Sequence, residues 1–74
     1  MTTSYRVEIE QEDDGRWLAE VRELPGVLAY GTSAEDALAH VQALALRVLA
    51  DRLEHGEGPR GPVSVHFETA SAAA

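Results

Sequence analysis

The sequence predicts an α+β fold of order βββαβ: a three-stranded antiparallel meander, one long helix packed on one sheet face, and a fourth strand. Three observations carry this. Tyr5 to Gln11 and Arg16 to Arg22 alternate apolar and polar residues with the period of two of a half-buried strand. Ala34 to about His55 spaces its leucines and valines as a helix does. After a break rich in glycine and proline, Val63, Val65 and Phe67 alternate again with Ser64, His66 and Glu68.

In the first strand Tyr5, Val7 and Ile9 share the inner face, with Arg6, Glu8 and Glu10 outside. Glu12-Asp13-Asp14-Gly15 follows, and Asp-Gly between alternating segments is a hairpin signal. Trp17, Ala19 and Val21 extend the inner face, whereas Leu18 points outward among Arg16, Glu20 and Arg22. Leu24-Pro25-Gly26-Val27 predicts a type II turn, because proline presets φ at the second position and glycine supplies the positive φ of the third. Val27 to Tyr30 makes a short third strand, broken at Gly31. Ser33 is the predicted helix cap, placing Glu35 and Asp36 in a first turn where the dipole favours acids.

Along the helix Leu38, Val41, Ala45, Val48 and Leu49 form a stripe, which Leu44, Leu46 and Leu53 widen to an arc of roughly 200°. A helix lying on one sheet needs little more than about 100°, so part of that surface is expected to meet something else. Gly56 to Pro62 ends the helix. The crossover leaves the last strand parallel to the third and to the first, beside which it completes a sheet ordered 3-2-1-4.

The 74 residues accommodate one domain, 1–69, followed by a plain tail, 70–74, expected to be disordered. Ordering such a chain costs about 1.5 kcal/mol per residue, which burial at about 25 cal/mol per Å² roughly cancels. The absence of cysteine removes disulfides and thiolate metal sites as supplements. A homo-oligomer, dimer or tetramer, is therefore the first expectation, with Leu46 and Leu53 at the contact and Leu18 as a candidate on the opposite sheet face.

Thirteen acidic residues against six arginines and no lysine give a net charge of −7. Direct nucleic-acid binding, which depends on neutralising phosphates, is not expected. A basic protein partner suits the charge, as does acidity that simply maintains solubility. The start has no basic segment followed by an apolar run, and no stretch approaches membrane-spanning length, so a cytoplasmic protein is expected.

Little in the chain points to catalysis. Glu8, Glu10, Glu12, Asp13 and Asp14 cluster on one hairpin instead of converging from separate elements as a metal-dependent nuclease needs. His40, His55 and His66 lack zinc-ligand spacing. Ser4, Ser33, Ser64 and Ser71 lack a nucleophile-elbow context, and Gly56-Glu57-Gly58 carries an acid where a phosphate loop wants a lysine. The expectation is a non-enzyme without metal or cofactor.

The ordered set of an opening Tyr-x-Val-x-Ile-Glu strand, an acidic Gly-containing hairpin, Leu24-Pro25-Gly26, and Gly31-x-Ser33-x-Glu35-Asp36-Ala37-Leu38 resembles the HicB family of antitoxins. The resemblance runs from Tyr5 to about Leu53, with a weaker continuation in Gly-x-x-Pro and Val-x-Val; Arg22 stands where the family often has proline. It implies a partial ribonuclease-H-like fold without ribonuclease catalytic residues, and a role in covering a small basic HicA-type ribonuclease toxin. Many members carry a second, DNA-binding domain, and this chain is expected to lack it. Two readings remain open: a toxin-binding antitoxin, to which Glu8, Glu10, Glu12, Asp13 and Asp14 would steer the partner, and a solitary oligomeric regulatory or scaffolding module. An unusual nuclease is the third class.

Overall fold

The computed structural model describes residues 2–71, which form β1 (Thr2–Gln11), β2 (Trp17–Val21), β3 (Leu28–Gly31), α1 (Ala34–Glu54) and β4 (Ser64–Ser71). The sheet is ordered β3-β2-β1-β4, as expected. β2 is antiparallel to β1 and β3, and β4 is parallel to β1.

Local chemistry explains each corner. Between β1 and β2 the Gly15 N–H donates to the Glu12 carbonyl at 3.0 Å and the Glu12 N–H to the Arg16 carbonyl at 2.7 Å, with Gly15 at φ 91°. Asp14 accepts from the Arg16 N–H at 3.0 Å and from its Nε at 2.8 Å, an Asx-type lock on the turn. At the next corner the Val27 N–H donates to the Leu24 carbonyl at 3.0 Å and Gly26 has φ 82°, the geometry of a type II turn. Pro25 and Gly26 stay exposed, while Leu24 and Val27 on either side drop into the core.

Ser33 caps α1: its Oγ accepts from the Asp36 N–H at 3.0 Å. Asp36 answers by accepting from the Thr32 N–H at 3.0 Å, one residue earlier than the reciprocal bond of a standard capping box. At the other end Gly56, with φ 73°, turns the chain away while Glu57 donates to the Arg52 carbonyl at 2.8 Å.

The core comprises Val7, Ala19, Val21, Leu24, Val27, Ala37, Val41 and Ala45. The helical line at its centre is Ala37-Val41-Ala45, whereas Leu38, Leu44, Val48 and Leu49 from the expected stripe are only partly buried around it. Small residues sit at the centre because α1 lies close on the sheet. A Cβ added to Gly31 would stand 2.3 Å from the Ala37 nitrogen, so this glycine is needed for the approach as much as for ending the strand.

α1 packs chiefly over β3 and β2, touches β1 less, and scarcely reaches β4. Strand boundaries also differ from expectation: β3 spans Leu28–Gly31 instead of Val27 to Tyr30, and Gly31, expected to break it, is its last residue, opposite Trp17. β1 begins at Thr2 instead of Tyr5, since Thr2, Thr3 and Ser4 pair with Ser64, Val65 and His66 although they show no apolar alternation. β4 continues through Ala70 and Ser71, which pair with Glu8 and Ile9, so the first residues assigned to a disordered tail lie in the sheet; 72–74 fall outside the described residues.

Candidate protein-binding surface

The helix lies over the β3–β2 part of one sheet face, and among the described residues no element lies on the other face. Register sets what that outer face presents. Leu18 stands opposite Tyr30 and Glu10, and Glu20 stands opposite Leu28 and Glu8. On the far side Glu68 lies beside Arg6. The result is an apolar group, Leu18, Leu28 and Tyr30, bordered by Glu8, Glu10 and Glu20. Leu28 is 43% and Tyr30 40% exposed, which is high for large apolar side chains.

Arg22 holds the acidic border together. Glu8 and Glu20 are direct cross-strand neighbours, a like-charge arrangement that costs stability by itself. The Arg22 guanidinium lies 3.1 Å from Glu8 Oε1 and 3.8 Å from Glu20 Oε1. Arg16 plays a second part at the hairpin. Its guanidinium lies 4.4 Å over the Tyr30 ring while Nε pairs with Asp14 at 2.8 Å, which ties the turn to β3. The Arg16 backbone N–H, then its guanidinium, hold the Asp14 carboxyl below its ordinary value.

The five predicted partner-binding acids therefore divide. Glu8 and Asp14 are paired with arginines, whereas Glu10, Glu12 and Asp13 form no ion pair among the described residues. Glu8 and Glu10 sit on the outer face, and Glu12, Asp13 and Asp14 surround the hairpin tip. The expected oligomer residues divide too. Leu18 lies on the outer face, while Leu46 and Leu53, 50% and 44% exposed, border an apolar groove of about 350 Å³. Tyr5, Leu49, Val63 and Val65 also line the groove, which lies between α1 and the β4 side of the sheet, together with Arg52 and residues 57–59 of the following loop. Leu24, Pro25, Gly26, Gly31 and Ser33 occupy the turn, close-approach and capping roles described above.

Sequence reasoning passed over Leu28 and Tyr30 as members of the outer face. Their alternation with Ala29, read together with the antiparallel register of β2 and β3, was the signal available. Two of the histidines serve local structure. His40 Nδ1–H donates to the Tyr30 carbonyl at 2.8 Å, and its Nε2 lies 3.5 Å from Asp36. His55 Nδ1–H donates to the Asp51 carbonyl at 2.8 Å, satisfying a terminal helix acceptor. Among the described residues no group of three or more His, Asp or Glu is placed to hold a metal, and no helix is long and apolar enough to cross a membrane. A comparison of the chain with family models, curated proteins and solved structures finds no match.

Proposed function

We propose that this chain is a non-catalytic protein-binding module whose uncovered sheet face receives a basic partner, most specifically a small HicA-type ribonuclease toxin. The observation that carries the reading is the outer face itself: exposed Leu28 and Tyr30 with half-buried Leu18, beside Glu8, Glu10 and Glu20, of which Glu10 has no arginine partner. An apolar centre inside a polar, charged rim is the anatomy of a protein–protein interface. A ribonuclease that grips RNA through cations is complementary to such a border, and covering its cationic surface would block substrate. The family resemblance from Tyr5 to Leu53 supplies the toxin class.

The test is inhibition of RNA cleavage by the product of a neighbouring gene encoding a short basic protein. Stoichiometric inhibition by the native chain, lost on Leu18→Arg and Tyr30→Ala, is the expected outcome. Inhibition indifferent to both changes would remove the outer face from the reading. Failure of any such product to bind would leave the alternative, a solitary oligomeric regulatory or scaffolding module, which the partly uncovered groove at Leu46 and Leu53 favours.

A further inference from the structure

The two edges of the sheet are built differently. β3 has four residues, follows a proline-containing turn, and has its Tyr30 carbonyl engaged by His40. Short length and an engaged acceptor are ordinary protection for an edge. β4 has eight residues, about 27 Å of strand at roughly 3.4 Å each, and among the described residues it is paired along one side only, with β1. Its sequence, Ser64-Val-His-Phe-Glu-Thr-Ala-Ser71, contains no proline, no lysine and no inward charge. Nor does α1 shelter it. Val65 and Phe67 are half-buried and Val63 is 39% exposed, although Phe67 stacks on Tyr5 at 5.8 Å.

We propose that this edge is completed by a second copy of the chain: β4 pairs antiparallel with β4 of the partner about a two-fold axis passing through Phe67. A two-fold axis makes the pairing antiparallel and fixes the register by a single residue, the one opposite itself. Residues opposite each other share a face. Centring on Phe67 pairs Ser64 through Ala70, with His66 opposite Glu68 on the outer face, twice, and Val65 opposite Thr69 on the inner one. Glu68 then lies between Arg6 of its own β1 and the partner's His66. Other centres do worse. Glu68 at the axis opposes two carboxylates, and His66 at the axis opposes two imidazoles. Val65 or Thr69 at the axis leaves much of the strand unpaired.

A donor–acceptor match within one strand, an imidazole N–H of His66 opposite the Glu68 carboxylate, thus names the occupant as a second copy and selects its register. The inner faces of the two β4 strands join with Phe67 at their centre. Leu46 and Leu53, expected at the contact from the sequence, border the groove alongside and do not form the pairing itself.

The chain lacks cysteine, so single-cysteine variants report register directly. Phe67→Cys places two thiols opposite each other and is expected to form a covalent dimer under mild oxidation, with far less from His66→Cys or Glu68→Cys. Crosslinking strongest at either of the latter, or absent from all three, overturns the proposal. Sedimentation equilibrium of the unmodified chain at tens of micromolar should give a dimer. His66→Glu, which opposes two carboxylates, should weaken it at least tenfold, and His66→Glu with Glu68→His should restore it while circular dichroism stays native. An 8.0 kDa monomer in the unmodified chain, or a dimer lost on Leu46→Ser but indifferent to His66→Glu, is the contrary result. Only this chain is present, so the outcome is independent of toxin binding.

Discussion

The β3 side of the molecule and the β4 side share one sheet but differ in how they are held. On the β3 side the helix rests on small residues, Ala19, Ala37 and Ala45, with Gly31 against the backbone of the first helical turn. Among the described residues every buried side chain lies there or on the adjoining part of β1. On the β4 side the larger apolar groups, Tyr5, Leu49, Val65 and Phe67, are only partly covered. Close packing needs small residues and tolerates little change, whereas large side chains left half-covered form a surface that another chain can use. Stability is thus concentrated under the helix at the β3 end of the sheet, while the half-covered apolar groups of the inner face lie at the β4 end, and the outer-face group of Leu18, Leu28 and Tyr30 sits on the far side of the stable end.

The largest expected effect tests the tight end. Gly31→Ala puts a Cβ 2.3 Å from the Ala37 nitrogen and 2.8 Å from two further backbone atoms, none of which can swing aside. Separating the helix from the sheet should cost about 3 kcal/mol in urea melts. A loss below about 1 kcal/mol would mean that the helix is not seated as tightly as the comparison requires. Next comes a matched pair of equal chemistry. Val41→Ala, at a fully buried position, should cost about 2 kcal/mol, and Val65→Ala under about 1. Equal losses would erase the distinction between the two ends.

A glycine pair sharpens it further. Gly26 has φ 82° with open space around a notional Cβ, so Gly26→Ala should cost about 1 kcal/mol from backbone strain alone. At Gly58 a Cβ would meet Leu53 Cδ2 at 2.6 Å, but that is the end of an exposed side chain free to turn. The expected loss there is a few tenths of a kcal/mol, about the error of the melt itself.

Much of the tight end was legible because its determinants are local. Alternation, Leu-Pro-Gly, and Ser33 ahead of two acids each specify a conformation through neighbours a few residues away. The open end was less legible. Thr2, Thr3 and Ser4 join the sheet because β4 offers them a parallel partner, a non-local cause that leaves no alternation to read. The same applies to Ala70 and Ser71. Within the candidate surface the acids were visible, but their division was not. Pairing of Glu8 with Arg22 depends on β1–β2 register, and Arg16 finds Tyr30 only once β3 is docked.

Acid titration probes the capped start of α1. The Thr32 backbone N–H, with further help from His40 and the Thr32 hydroxyl, holds the Asp36 carboxyl below its ordinary 3.8 against a partial desolvation penalty. A depressed folded value means that the bond's contribution is complete above the unfolded pKa and disappears as pH falls through the folded one. Stability should therefore decline below about pH 4, and Asp36→Asn should flatten that decline while Ser33 remains the cap. An unchanged slope would show that the Thr32 bond has no weight in the folded chain.

The smallest effect belongs to the acids left without arginines, and it bears on how the open surfaces meet a partner. Asp14 is a poor position to alter, because its carboxylate locks the hairpin through two bonds from Arg16. Asp13 lies at the same tip without such a bond, so Asp13→Lys changes charge with little disturbance of the turn. For a partner cation about 10 Å away in water, Coulomb's law makes this reversal worth about threefold in association rate at 0.01 M salt and about 1.5-fold at 0.15 M. Dissociation should hardly change, since the charges act before contact is complete. Leu18→Ala should do the reverse, raising the dissociation rate with association nearly constant. Stopped-flow mixing with the basic partner proposed above, at the two salt concentrations, separates these effects. Association that ignores both salt and Asp13→Lys would take the hairpin out of the recognition surface and leave the apolar centre of the outer face to account for binding alone.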